Sequence, residues 1–143
     1  MTSLVQFRGP VWRLLPRDLL ATPASPARAP EGRFHHDGQI AAYASLSAEG
    51  ARVAMARYRG DGVERHLVAM WLTAARVADI RGERGASIVW QDIRAAGQPA
   101  PTWRYSDAAR AAGAQAMLYS SRSRPNLAHV VVFDPGSLRH LAR

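Results

Sequence analysis

Two short apolar runs near the C-terminus, residues 116–120 (AMLYS) and 128–133 (AHVVVF), constrain the fold more than any other feature. Both read as buried strands bounded by turn residues, and a buried strand needs a sheet to receive its backbone hydrogen bonds. Further strand candidates are residues 11–15 (VWRLL), an apolar run broken by Arg13, and residues 39–45 (QIAAYAS). Residues 66–80 are long and apolar with poor alternation. They fit two strands parted near Ala74-Ala75 or a buried helix followed by a strand, and the strand reading is preferred.

Helices interrupt these strands. Ser47 has the character of an N-cap and Glu49 would sit in the first turn, where a carboxylate suits the helix dipole, so the sequence predicts a helix from residue 48 to about residue 59. A second is expected over residues 106–112, capped by Ser106 and stopped by Gly113. Ser137 would open a brief C-terminal helix. Residues 16–30 hold four of the nine prolines and predict an extended loop, because proline removes a backbone donor and disfavours helix before it. At 143 residues the chain has the size of one domain. The mixed order of elements points to a single α+β domain over residues 1–143.

No apolar run approaches the roughly 18 to 20 residues of a membrane-spanning helix, and the N-terminus does not read as a secretory signal. The absence of cysteine excludes disulfides and thiolate chemistry and fits a cytoplasmic address. All 19 basic residues are arginine, and against 11 acids they give a net charge of +8. Such a surface suits nucleic acid, an acidic protein or a phosphorylated small molecule. The arginines are spread along the chain and form no block, so most of them read as a solvated surface. The neighbouring His35 and His36 lack the spacing of a closed zinc site, and no metal site is expected.

Four patches taken in order resemble the RES-domain toxin family: Val11-Trp12-Arg13-Leu14, Gly32-Arg33-Phe34, residues 43–51 (YASLSAEGA) and residues 113–133. Family members carry an Arg on the first strand, an Arg in a Gly-Arg-aromatic element, a Tyr, a Glu and a C-terminal Ser. These fall on Arg13, Arg33, Tyr43, position 54 and Ser121, but position 54 is Ala. The resemblance implies a fold related to ADP-ribosyltransferases. It also implies cleavage of the bond between nicotinamide and ribose in NAD+, a substrate rather than a cofactor, with phosphate or water as acceptor. It implies a helix-turn-helix (Xre-like) antitoxin that covers the active site in a hetero-oligomer.

On that reading Arg13 and Arg33 together grip the dinucleotide or the incoming phosphate, because a guanidinium is a rigid two-pronged donor for phosphate oxygens. Tyr43 would stack on nicotinamide and offer its hydroxyl to ribose. Ser121 would bond ribose or phosphate, and Asn126 would fix the adjoining loop. A carboxylate at position 54 would stabilise the developing oxocarbenium cation. Ala54 then leaves three readings: a naturally inactive relative, a carboxylate displaced elsewhere, or a sequence altered to be harmless. The alternatives from other classes are a basic nucleic-acid-binding module using the arginines with Trp12, Trp71, Trp90 and Trp103, and an inactive relative that only binds antitoxin.

Overall fold

The computed structural model describes residues 3–141. Six strands form one sheet: β1 (Leu4–Pro16), β2 (Ala42–Ser45), β3 (Arg65–Asp79), β4 (Ala116–Ser120), β5 (Ala128–Val132) and β6 (Leu138–His140). The spatial order is β1-β2-β5-β4-β3-β6, and a further β1–β3 pairing closes the first five strands into a barrel. Only β3 and β4 run parallel. Closure leaves the barrel strands with partners on both sides, which removes the exposed edges of an open sheet. Helices α1 (Ala48–Ala54), α2 (Gln91–Ala95) and α3 (Trp103–Ala111) are short, and among the described residues no helix is long and apolar enough to cross a membrane.

Residues 65–79 are one continuous strand rather than two. The irregularity expected near Ala74-Ala75 is nevertheless visible as a slip of phase. Val68, Met70, Leu72 and Ala74 point into the barrel, and the next interior residue is Val77, three positions on. At the slip the backbone N–H groups of Ala75 and Arg76 both donate to Gln115 Oε1, at 3.0 and 3.2 Å. A side chain thus replaces the missing ladder partner, and the strand continues.

Three other expectations are corrected. The first helix ends at Ala54, and a 3-10 turn over Ala56–Tyr58 takes its place. The third helix begins at Trp103, so Ser106 lies inside it and bonds back to Trp103 O instead of capping. Ser137 closes a 3-10 turn, and strand β6 follows where a helix was expected. The caps Ser47, which accepts from Gly50 N, and Gly113, with φ +83, lie where the sequence puts them.

Side chains alternate across the barrel wall and divide the core in two. The interior cluster contains Val11, Leu15, Ala42, Ala44, Val130, Val132, Ala116 and Leu118. The outer cluster contains Phe34, Met117, Tyr119 and Val131, with Tyr43 and Phe133 packed against it.

Candidate functional site

The outer face of β2, β5 and β4 carries Tyr43 and Ser45, then His129 and Val131, then Met117 and Tyr119, by strict alternation along each strand. The turn over residues 31–36 closes over it. Phe34 is fully buried and meets the Tyr119 ring edge-on at 4.7 Å. The Tyr43 hydroxyl accepts from Phe34 N at 2.9 Å and lies 2.7 Å from His35 Nδ1. His35 Nε2 lies 2.9 Å from Ala29 O, and a carbonyl can only accept, so Nε2 carries the proton and Tyr43 donates to Nδ1. Gly32 is required here, because a Cβ would stand 2.5 Å from His35 Cε1. From outside, Trp103 Nε1 donates to Gly32 O at 2.8 Å, Thr102 Oγ1 donates to Arg33 O, and Arg94 pairs with Glu31 at 3.0 Å.

The half-buried Arg33 projects from this fastened turn, and its Nη1 donates to Ala86 O at 3.2 Å and Ile88 O at 2.8 Å. Burial lowers its pKa, and the positive charges of Arg122 and Arg57 lower it further. Among the described residues no carboxylate pairs with it. A partly desolvated cation that feels the charge of two more arginines and has no acid partner among the described residues is an arrangement that an anion would stabilise. Burial also pushes the Tyr43 and Tyr119 hydroxyls up, so both are neutral phenols near pH 7. His129 is held near 4 by burial and by the charge of Arg33.

The residues expected from the sequence do not all converge. Arg13 alternates with Val11 and Leu15, whose side chains belong to the barrel interior, whereas Arg33 lies on the outer face. Arg13 is only 7% exposed, and its guanidinium is committed to backbone carbonyls. Nε donates to Tyr43 O at 2.9 Å, and Nη1 donates to Pro23 O at 2.7 Å and Ser25 O at 2.8 Å. Burial pulls its pKa down to about 10. The expected pairing of Arg13 with Arg33 in one cleft is therefore corrected: Arg13 ties the proline-rich loop and β2 to β1. The Tyr43 hydroxyl is likewise taken up by Phe34 and His35 and is not free for a ribose.

Ser121 continues the alternation of Met117 and Tyr119 onto the outer face and is buried. Its Oγ accepts from Arg124 N at 3.2 Å and keeps its own proton available. Asn126 is exposed at the turn that follows, which the Leu127 N to Arg124 O bond closes. Ala54 is the exposed last residue of α1. It stands one turn beyond the buried Gly50 and Ala51, on the same side of the helix, and one turn before Arg57. Glu49 is turned elsewhere and pairs with Arg124 at 3.6 Å. The sequence reading missed Tyr119, His129, Arg57 and Arg122. A histidine inside an otherwise apolar strand was the available signal for His129.

The family model for the RES domain matches residues 10–142. No curated protein matches the chain. Among solved structures, a chain of the crystal structure of the M.tuberculosis MbcT-MbcA toxin-antitoxin complex superposes with a TM-score of 0.71. It is 18% identical over 97% of this chain and 84% of that one, so the likeness is one of fold. With a family match running from the first strand to the end of the described structure, the chain belongs to the RES domain family.

Proposed function

We propose that this protein is the toxin of a toxin–antitoxin pair and that its ancestral reaction is the cleavage of NAD+ between nicotinamide and ribose, with phosphate or water as acceptor. The observation that carries the reading is Arg33: half-buried, paired with no acid among the described residues, and under the positive field of Arg57 and Arg122. A dinucleotide pyrophosphate matches that charge, and the guanidinium fork suits its oxygens. Ser121 bonds ribose or phosphate from the neighbouring strand end, and Asn126 shapes the loop beside it. The Tyr43 ring, with its hydroxyl pinned, serves as a fixed wall for the base. Arg13 supports that wall from inside the barrel by holding the Tyr43 carbonyl.

Loss of the positively charged nicotinamide leaves an oxocarbenium-like sugar, and a carboxylate beside it stabilises the developing cation. Position 54 is where the reading puts that carboxylate, at the end of α1 and one turn from Arg57. With Ala54 the chain is the inactive form of such an enzyme. The partner is a helix-turn-helix antitoxin that covers the site in the cytoplasm, and the likeness to a chain of a toxin–antitoxin complex supports this. A kinship with ADP-ribosyltransferases goes with the same reading, since those enzymes also part nicotinamide from ribose. The test is Ala54→Glu in the purified protein. If one electrostatic group contributes about 3 to 4 kcal/mol at the transition state, NAD+ loss rises by roughly two to three powers of ten. A folded Ala54→Glu protein that consumes no more NAD+ than the unaltered chain overturns the reading.

A further inference from the structure

Ser45 and His129 face each other directly across the β2–β5 ladder, and both are buried. Ser45 Oγ lies 2.7 Å from His129 Nδ1, its one hydrogen-bond partner among the described residues. A buried hydroxyl whose proton has nowhere else to go donates to that partner. Nδ1 is therefore the acceptor, and a neutral ring must carry its proton on Nε2. The ring stays neutral at pH 7 because burial and the nearby Arg33 both oppose a second proton. Among the described residues the single buried side-chain nitrogen or oxygen without a partner is His66 Nε2, so His129 Nε2 is not sealed in the core. It opens on the outer face, where the His129 and Tyr119 ring centroids are 5.4 Å apart.

The other groups of the site are already assigned. His35 uses both ring nitrogens, on Tyr43 and Ala29, and Arg33 supplies a cation. His129 is the remaining fixed donor, and it is uncharged. We infer that His129 is a ligand-binding residue of this site: its Nε2–H, aimed by the Ser45 hydroxyl, donates to an uncharged oxygen, a sugar hydroxyl or amide carbonyl, of the ligand whose phosphates Arg33 holds. Ser45 is then a positioning residue that selects the tautomer. The inference rests on the dinucleotide reading above and adds to it the group that tells a nucleoside from a bare phosphate. A neutral donor suits this task because it adds no further attraction for phosphate where Arg33 already supplies a cation.

The experiment titrates two probes into the protein: inorganic pyrophosphate, and carba-NAD+, in which a methylene replaces the ribose ring oxygen and blocks cleavage. With His129→Phe, carba-NAD+ binding weakens about three- to tenfold, as expected for one hydrogen bond, while pyrophosphate binding is unchanged. Ser45→Ala causes a smaller loss that Ser45→Thr restores. In 15N spectra of the imidazole at pH 7 the unaltered protein shows the Nε2–H tautomer, and Ser45→Ala shows a mixture, a readout that a packing role alone would not move. Binding of both probes with no change in His129→Phe, or with equal losses for the two, overturns the inference alone, as does an Nδ1–H tautomer. Binding of neither probe by the unaltered protein, or of pyrophosphate alone, overturns the dinucleotide reading, and this inference falls with it.

Discussion

Arg13 and Arg33 stand on opposite faces of the same barrel wall, and burial lowers the pKa of both, yet they have opposite uses. Inside the barrel, Arg13 gives its protons to three carbonyls from two other segments, so its charge is solvated by the chain itself. Outside it, Arg33 bonds two carbonyls through one nitrogen, and the rest of its fork has no hydrogen-bond partner among the described residues. A buried arginine is thus a stabilising strut when its donors are spent on backbone, and a receptor when they are not.

Removing each arginine in turn separates the two uses. Arg13→Ala leaves three carbonyls without their donor and opens a gap at the barrel end, so unfolding in urea should show a loss of about 3 to 5 kcal/mol. Arg33→Ala should cost only about 1 kcal/mol of stability and weaken pyrophosphate binding tenfold or more, read by calorimetry. Equal stability losses would erase the distinction between strut and receptor.

Acid titration probes the outer face next. The unfolded chain protonates His129 near its ordinary value of 6.5, whereas the folded protein does so only at about 4. Its contribution is therefore complete above 6.5 and is lost as the pH falls toward 4, by roughly 3 kcal/mol in all. Denaturation midpoints measured between these values in His129→Phe should lack that slope.

The smallest effect belongs to the rim. His36 stacks on Trp103 with centroids 4.4 Å apart and bonds Asp37 at 2.9 Å and Asp107 at 3.0 Å. Although burial alone would lower its pKa, the two carboxylates outweigh that and raise it. The raised value means that the ion pairs are complete below 6.5 and weaken as the pH rises through the folded pKa. The protection of residues 31–40 from hydrogen exchange, taken relative to the intrinsic rate at each pH, should then fall slightly from pH 6 to 8, and His36→Gln should flatten that dependence.

Residues 116–120 and 128–132 form strands where the sequence puts them, and the Ser47 and Gly113 caps are also local facts that their neighbours suffice to specify. The RES kinship was equally legible, since it rests on residue types in order along the chain. What the sequence could not say is which side of a wall each strand residue faces relative to another strand, because alternation gives parity within a strand and only pairing gives it between strands. Arg13 lies on the wrong side for the role that its motif suggested, and His129 lies on the right side for one that it did not. Closure of the barrel also decided which donors were already spent, for the carbonyls that absorb Arg13 arrive from residues 23, 25 and 43, which local patterning does not bring near residue 13.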